Sequence, residues 1–197
     1  MRPRDEHKEG LIRQEAVEMI VREGLEGLSM QKLAKAAGVS PATLYIYFKD
    51  RDDLIIQLVI EEHTKMSRET LKDFDPDMHF AEGLKVQWNN RVAYYLKHPV
   101  GLSFMEHIKH SPYFEKAMQQ TGNLFPKVMG EFLSKNIERQ ELVRVSPEVY
   151  WSIAFAPLYQ LIKYHISGRG LPPSSTFVLD EEKLQQALEL VLKALKP

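Results

Sequence analysis

Cysteine is missing from this 197-residue chain. That excludes a disulfide-stapled scaffold and any metal centre built on thiolates. A run of about 18 apolar residues, the length that spans a bilayer, is also missing, so no membrane partner is expected. Charge of one sign is lacking too: 26 basic residues stand against 27 acidic ones, for a net charge of −1. Such a balance gives no global attraction to polyanions, so any affinity for them has to be local. No glycine-rich phosphate loop, nucleophile elbow or HExxH pattern occurs. Nothing therefore points to an enzyme, and neither a catalytic residue nor a cofactor is expected. Glu106-His107 and His110 put two imidazoles on one helical face, but two ligands without a third do not make a metal site.

What the chain does have is ordinary globular composition, 44% hydrophobic and 27% charged, in a length that suits a small domain joined to a larger one. The opening MRPRDEHKEG is charged with no apolar stretch behind it, and reads as a short polar arm rather than a secretory signal. Leu11, Ile12, Ala16, Met19 and Ile20 then form a helical stripe that runs out near Gly24 and Gly27.

The richest segment is 29–54, SMQKLAKAAGVSPATLYIYFKDRDDL. Ser29 suits an N-cap, because its hydroxyl can accept from an unpaired amide of the first helical turn. Leu33, Ala34 and Ala37 recur at helical spacing and give a narrow buried face. Gly38 marks a turn, where the absence of Cβ makes a positive φ accessible. Ser40-Pro41 restarts the chain as a helix, Ser as cap and Pro at the first helical position. Leu44 and Phe48 turn that helix inward and leave Ala42, Thr43, Tyr45, Ile46 and Tyr47 on its other faces. Two short helices at a steep angle fit the major groove of duplex DNA, and the small Ala34 lets them approach closely. From Ser29 to Arg51 the bases Lys32, Lys35, Lys49 and Arg51 face only the acid Asp50. Phosphate attraction acts over roughly 8–10 Å in physiological salt, so a neutral total does not forbid binding.

On these residues the segment resembles the DNA-binding domain of the TetR family of bacterial one-component regulators. The matching elements are Gly24, Leu33-Ala34, Ala37-Gly38-Val39-Ser40, Thr43-Leu44-Tyr45, Tyr47-Phe48 and Arg51-Asp52-Asp53-Leu54, within about residues 8–58. The resemblance implies an all-α fold: an N-terminal three-helix helix-turn-helix domain plus a larger C-terminal helical domain for ligand binding and dimerisation. It also implies that Tyr45, Tyr47, Lys49 and Arg51 hold phosphates of double-stranded DNA. Ala42 and Thr43 would meet base edges, Gln31 would reach one from the preceding helix, and Ser29 and Ser40 would be caps first and phosphate donors second. Two positions depart from the family: Arg51 stands where lysine is usual, and Ile46 where many members carry Trp or Tyr.

The domain reading is 1–50 for DNA binding, 51–72 for a linking helix capped by Asp50, and 73–197 for the effector and dimerisation domain, opening on the turn cluster DFDPD. Helices are expected at 78–97, 99–110, 112–139 with a break near Pro126, 146–167 and 180–195. Pro157 inside the fourth of these removes a backbone bond and predicts a kink. That helix is apolar on almost every side, and the last shows a clean stripe at three-four spacing. Val149, Ile153, Leu184, Leu188, Val191, Leu192 and Leu195 are therefore expected at a two-fold, four-helix dimer interface, with intramolecular core as the other reading. The aromatic and Met-rich middle supplies a candidate pocket: Trp88, Tyr95, Phe104, Met105, Met118, Phe125, Met129, Trp151, Phe155 and Tyr159. Aromatics at helical spacing are also what any core looks like.

These readings combine into a cytoplasmic homodimer that binds a two-fold symmetric operator and responds to a small apolar or aromatic effector, a repressor by resemblance. The alternative is a helix-turn-helix regulator whose C-terminal domain binds a protein partner.

Overall fold

The computed structural model describes residues 5–197, and no strand occurs among them; one isolated antiparallel bridge joins Arg169 and Thr176. The helices are α1 (Glu6–Glu23), α2 (Met30–Ala36), α3 (Pro41–Tyr47), α4 (Arg51–Thr70), α5 (Phe80–Lys97) and α6 (Pro99–Ile108). They continue with α7 (Pro112–Met118), α8 (Leu124–Glu138), α9 (Pro147–Ala154), α10 (Ala156–Ser167) and α11 (Glu181–Leu195). None is long and apolar enough to cross a membrane.

The chain divides into two compact units that interleave in sequence. The first holds the residues up to Lys65 together with His98–Thr121; the second holds Met66–Lys97 and Gly122–Pro197. Residues 98–121, which the sequence groups with the C-terminal domain, thus pack with the N-terminal helices, α6 lying on α1.

In the first unit, α1 starts earlier than the sequence suggests. Asp5 is its N-cap, accepting from the Lys8 amide at 3.2 Å, so of the expected polar arm only residues 1–4 remain, outside the described residues. The core joins Ile12, Ala16 and Ile20 of α1 to Leu33 and Ala34 of α2, Leu44 of α3, and Leu54 and Leu58 of α4. Phe104 and Ile108 of α6 and Ala117 of α7 close it. Each large aliphatic side chain buried this way contributes about 1.5–3 kcal/mol relative to exposure. Helices α4 and α6 approach closely where α6 has glycine: a Cβ on Gly101 would lie 2.3 Å from Glu62 Oε1.

In the second unit, α5 packs against α8 and α10, while α9 packs against α10 and α11. Glycine again permits a close approach, because a Cβ on Gly83 would stand 2.4 Å from the Phe132 ring. Phe74 meets that ring edge-on at 5.0 Å and Phe80 stacks on it at 6.0 Å. The helix expected over 146–167 breaks at Phe155, whose φ of −127° separates α9 from α10 and leaves Pro157 in the first turn of α10. The proline lacks the amide that would carry the ladder through, so the break falls where the sequence places a kink. The expected break within 112–139 lies at 119–123, and Pro126 falls in the first turn of α8.

Candidate nucleic-acid interface

The turn between α2 and α3 is built by backbone chemistry that the sequence spells out. Ser29 Oγ accepts from the Lys32 amide at 3.2 Å and starts α2. Gly38, at φ +65°, ends it; its amide donates to the Lys35 carbonyl, and that of Val39 donates to the Ala34 carbonyl at 2.9 Å. These paired bonds are a Schellman cap, and the left-handed residue within it favours glycine. Ser40 Oγ then accepts from the Thr43 amide at 3.2 Å and pairs with Thr43 Oγ1 at 2.9 Å, while Pro41 takes the first helical position. Leu44 and Phe48 are buried as expected, and Gln31, Ala42, Tyr45, Ile46 and Lys49 are exposed. Tyr45 and Ile46 each keep 56% of their surface in solvent, on a helix whose opposite face is core. Thr43 is half-buried, with its hydroxyl already engaged by Ser40.

Two residues expected at phosphates are placed elsewhere. The Tyr47 ring is buried, and its hydroxyl lies 3.3 Å from the Asp5 amide, which donates to it, and 3.4 Å from the Asp5 carbonyl. It ties α3 to the start of α1. Arg51 also turns inward. Its Nε donates to the Leu28 carbonyl at 2.8 Å, Nη2 to the Leu25 carbonyl, and Nη1 to the Tyr113 hydroxyl at 3.0 Å. Those carbonyls belong to the 3-10 turn (Leu25–Gly27) and the residue after it, and the Leu25 carbonyl also accepts from the Leu28 amide at 3.3 Å. A guanidinium whose three nitrogens each donate to an oxygen of its own chain ties that part of the chain together. Tyr113 is the third member, donating to Asp52 Oδ1 at 2.8 Å; burial first, and then that carboxylate, holds its phenol above the ordinary range. Lys32 Nζ reaches the Gly27 carbonyl at 3.3 Å and Glu23 at 3.5 Å. The Lys49 amide donates to Asp53 Oδ2 at 2.8 Å, and Asp50 caps α4 through the Asp53 amide, also at 2.8 Å. Lys35 of α2 and Lys49, two residues after the end of α3, are exposed.

The candidate pocket residues separate between the units. Phe104 is core of the first unit, with Met105 and Met118 packed against that core. The other seven belong to the second unit. There Trp88 is buried, its indole donating to the Ala154 carbonyl at 2.8 Å, and Tyr95 meets Tyr159 edge-on at 5.8 Å. Trp151 packs on Phe155 at 4.8 Å and on Tyr159 at 6.3 Å. Met129 is buried and Phe125 half-buried on α8. At the centre of these rings stands a residue the sequence reading passed over, Arg91 of α5, which is fully buried. Its signal was available: Trp88, Arg91 and Tyr95 share one helical face, so burial of the two aromatics carries the arginine inward.

The expected dimer residues need correction as well. Leu184, Leu188, Val191 and Leu195 are buried within the single chain, where α11 packs on α9 and α10, so they have no surface to give a second copy. Ile153 and Leu192 are half-buried, and Val149 is exposed. The apolar side chains left in solvent on these helices are Val149 and Trp151 of α9, Ile166 of α10 and Leu190 of α11.

Two serine-capped short helices, joined through a left-handed glycine and presenting one outward face, define a helix-turn-helix DNA-binding domain. Residues 12–58 match the model of the tetR family of bacterial regulatory proteins. An uncharacterised helix-turn-helix transcriptional regulator of Haemophilus influenzae is 33% identical over 105 residues, which are 53% of this chain and 56% of that protein. The match thus spans about half the length of the relative. A TetR-family regulator from Marinobacter aquaeolei shares the fold across 100% of this chain and 99% of its own, with a TM-score of 0.84 and 23% identity. FadR of Bacillus subtilis, solved in complex with stearoyl-CoA, covers 95% of this chain and 99% of its own at a TM-score of 0.70 and 16% identity.

Proposed function

We propose that this chain is a cytoplasmic, homodimeric transcriptional repressor whose operator affinity is set by a small apolar or aromatic ligand held in the second unit. The observation that carries the reading is the exposed face of α3, with Ala42, Tyr45 and Ile46 in solvent and Lys35 and Lys49 at its margins. In this reading Thr43 and Ala42 meet base edges and thymine methyls, with Gln31 reaching in from α2. Tyr45 and Lys49 hold phosphates, and Ser29 and Ser40 remain caps that can add a phosphate contact. Two copies must set their recognition helices about 34–36 Å apart, or a multiple of that, to meet successive major-groove faces. The exposed apolar groups Val149, Trp151, Ile166 and Leu190 are the self-association surface of the reading.

A ligand acts by favouring a spacing that does not fit DNA, and its leverage equals its differential affinity for the two arrangements, typically about 1–3 kcal/mol. Helix α4 is the natural carrier, since its residues through Lys65 belong to the first unit and those from Met66 to the second. The stearoyl-CoA bound to FadR supports a ligand with a long acyl chain in this architecture. The test is selection from random duplexes with the purified protein at two salt concentrations. A two-fold symmetric consensus that weakens steeply with salt is expected. An asymmetric consensus, or none, overturns the reading.

A further inference from the structure

Arg91 is fully buried, yet every partner it has is neutral. Its Nη1 donates to the Gln87 carbonyl at 3.1 Å and to Gln87 Oε1, and its Nε donates to the Tyr159 hydroxyl at 3.3 Å. Ring faces cover it: Phe155 at 4.1 Å from the guanidinium carbon, Trp151 and Phe125 at 5.9 Å. Nη2 is buried with no partner at all. A guanidinium removed from water carries a heavy desolvation penalty, which neutral oxygens and ring faces offset only in part.

A second orphan stands on the same rings. Tyr150 packs edge-on against Phe155 at 5.9 Å, and its buried hydroxyl has no partner either. Burial pushes that phenol far above its ordinary range, so it keeps its proton, and Arg91 is the charge that acts on it. Two buried donors without acceptors therefore pack on Phe155 in a setting that carries one positive charge.

We propose that Arg91 and Tyr150 bind the carboxylate of an apolar monocarboxylic acid, whose body packs against the rings of Trp151, Phe155 and Phe125. The proposal rests on the effector reading above and names its ligand class. Nη2 has two hydrogens and the phenol has one, and the two oxygens of a carboxylate can accept from both groups. A single positive charge matches a monoanion. A phosphate monoester, close to dianionic at neutral pH, calls for a second cation, and among the described residues those that bond or cover Arg91 (Gln87, Tyr159, Phe125, Trp151 and Phe155) are all neutral.

The test uses calorimetry on the full chain with benzoate, 2-naphthoate, octanoate and palmitate, each beside its primary amide. At least one acid is expected to bind about tenfold or more tightly than its amide, the size of a charge-assisted pair. That preference should vanish in Arg91→Met and fall several-fold in Tyr150→Phe. Should Arg91→Met fail to fold, Tyr150→Phe removes one oxygen from an intact chain and carries the test. Acids and amides that bind alike, or acids that do not bind, overturn the proposal. Failure of the functional reading looks different: an acid preference with no recoverable operator leaves the site standing and removes the repressor. Acids and amides that bind alike and both release operator keep the effector and remove the anion site.

Discussion

Two arginines sit inside the two units of this chain in opposite ways. In the first unit Arg51 fills its fork with the carbonyls of Leu25 and Leu28 and the hydroxyl of Tyr113. In the second, Arg91 keeps one nitrogen without a partner among aromatic rings. Arg51 is half-buried and Arg91 fully buried, and the two charges serve different ends. A satisfied cation ties the 25–28 turn to the start of α4. An unsatisfied one in a closed aromatic setting is a poor way to hold a fold and a good way to recognise an anion.

The largest effect is expected at Arg51. Arg51→Ala removes the side-chain donor from the Leu28 carbonyl and one of two donors from the Leu25 carbonyl, and chemical denaturation should report a loss of about 2–3 kcal/mol. Arg51→Lys should recover little of it, because an ammonium lacks the planar fork. The second unit has its own sensitive point in packing rather than polarity: Gly83→Ala drives a methyl into the Phe132 ring and should lower stability by about 1–3 kcal/mol, read in the same experiment. Arg91→Met should show the opposite sign to Arg51→Ala, with a melting temperature unchanged or raised, since it removes a buried charge lacking a full set of partners. A drop as large as that of Arg51→Ala would make Arg91 a structural tie and erase the contrast. The smallest effect expected is at His63 of α4, whose imidazole burial holds below its ordinary 6.5. Its neutral form is favoured in the fold, so its contribution is complete above about pH 6.5 and is lost as the pH falls through the lowered value. His63→Gln should flatten that slope in melts taken from pH 7 to pH 5.

Local chemistry was legible in the sequence where it is written in consecutive residues. Ser29, Gly38, Ser40 and Pro41 each dictate a cap or a turn from their own geometry, and the structure places each of them in that role. Pro157 likewise announced the break at Phe155. Side-chain destinations across the chain were not legible. Tyr47 and Arg51 match positions that hold phosphates elsewhere, but whether such groups point outward depends on what lies beneath them, here the Asp5 backbone and the 25–28 turn. The stripe on α11 was periodic and apolar, and periodicity alone does not say whether its cover is the same chain or another. Phe104, Met105 and Met118 looked continuous with the later aromatics because sequence order hides that 98–121 folds with the first unit. Arg91 was overlooked because a charged residue is by default read as exposed, although Trp88 and Tyr95 on its own face argued the reverse.

The most direct test of the account compares wild type, Tyr45→Ala and Thr43→Ala on the selected duplex by fluorescence anisotropy, with the fold of each variant checked by its melting curve. Tyr45→Ala is expected to keep its fold and to lose about tenfold in affinity across all sequences, the scale of one lost charge-assisted contact. Thr43→Ala should change which base pairs are preferred while altering overall affinity less. Affinity and base preference unchanged in both variants would contradict the placement of α3 in the major groove.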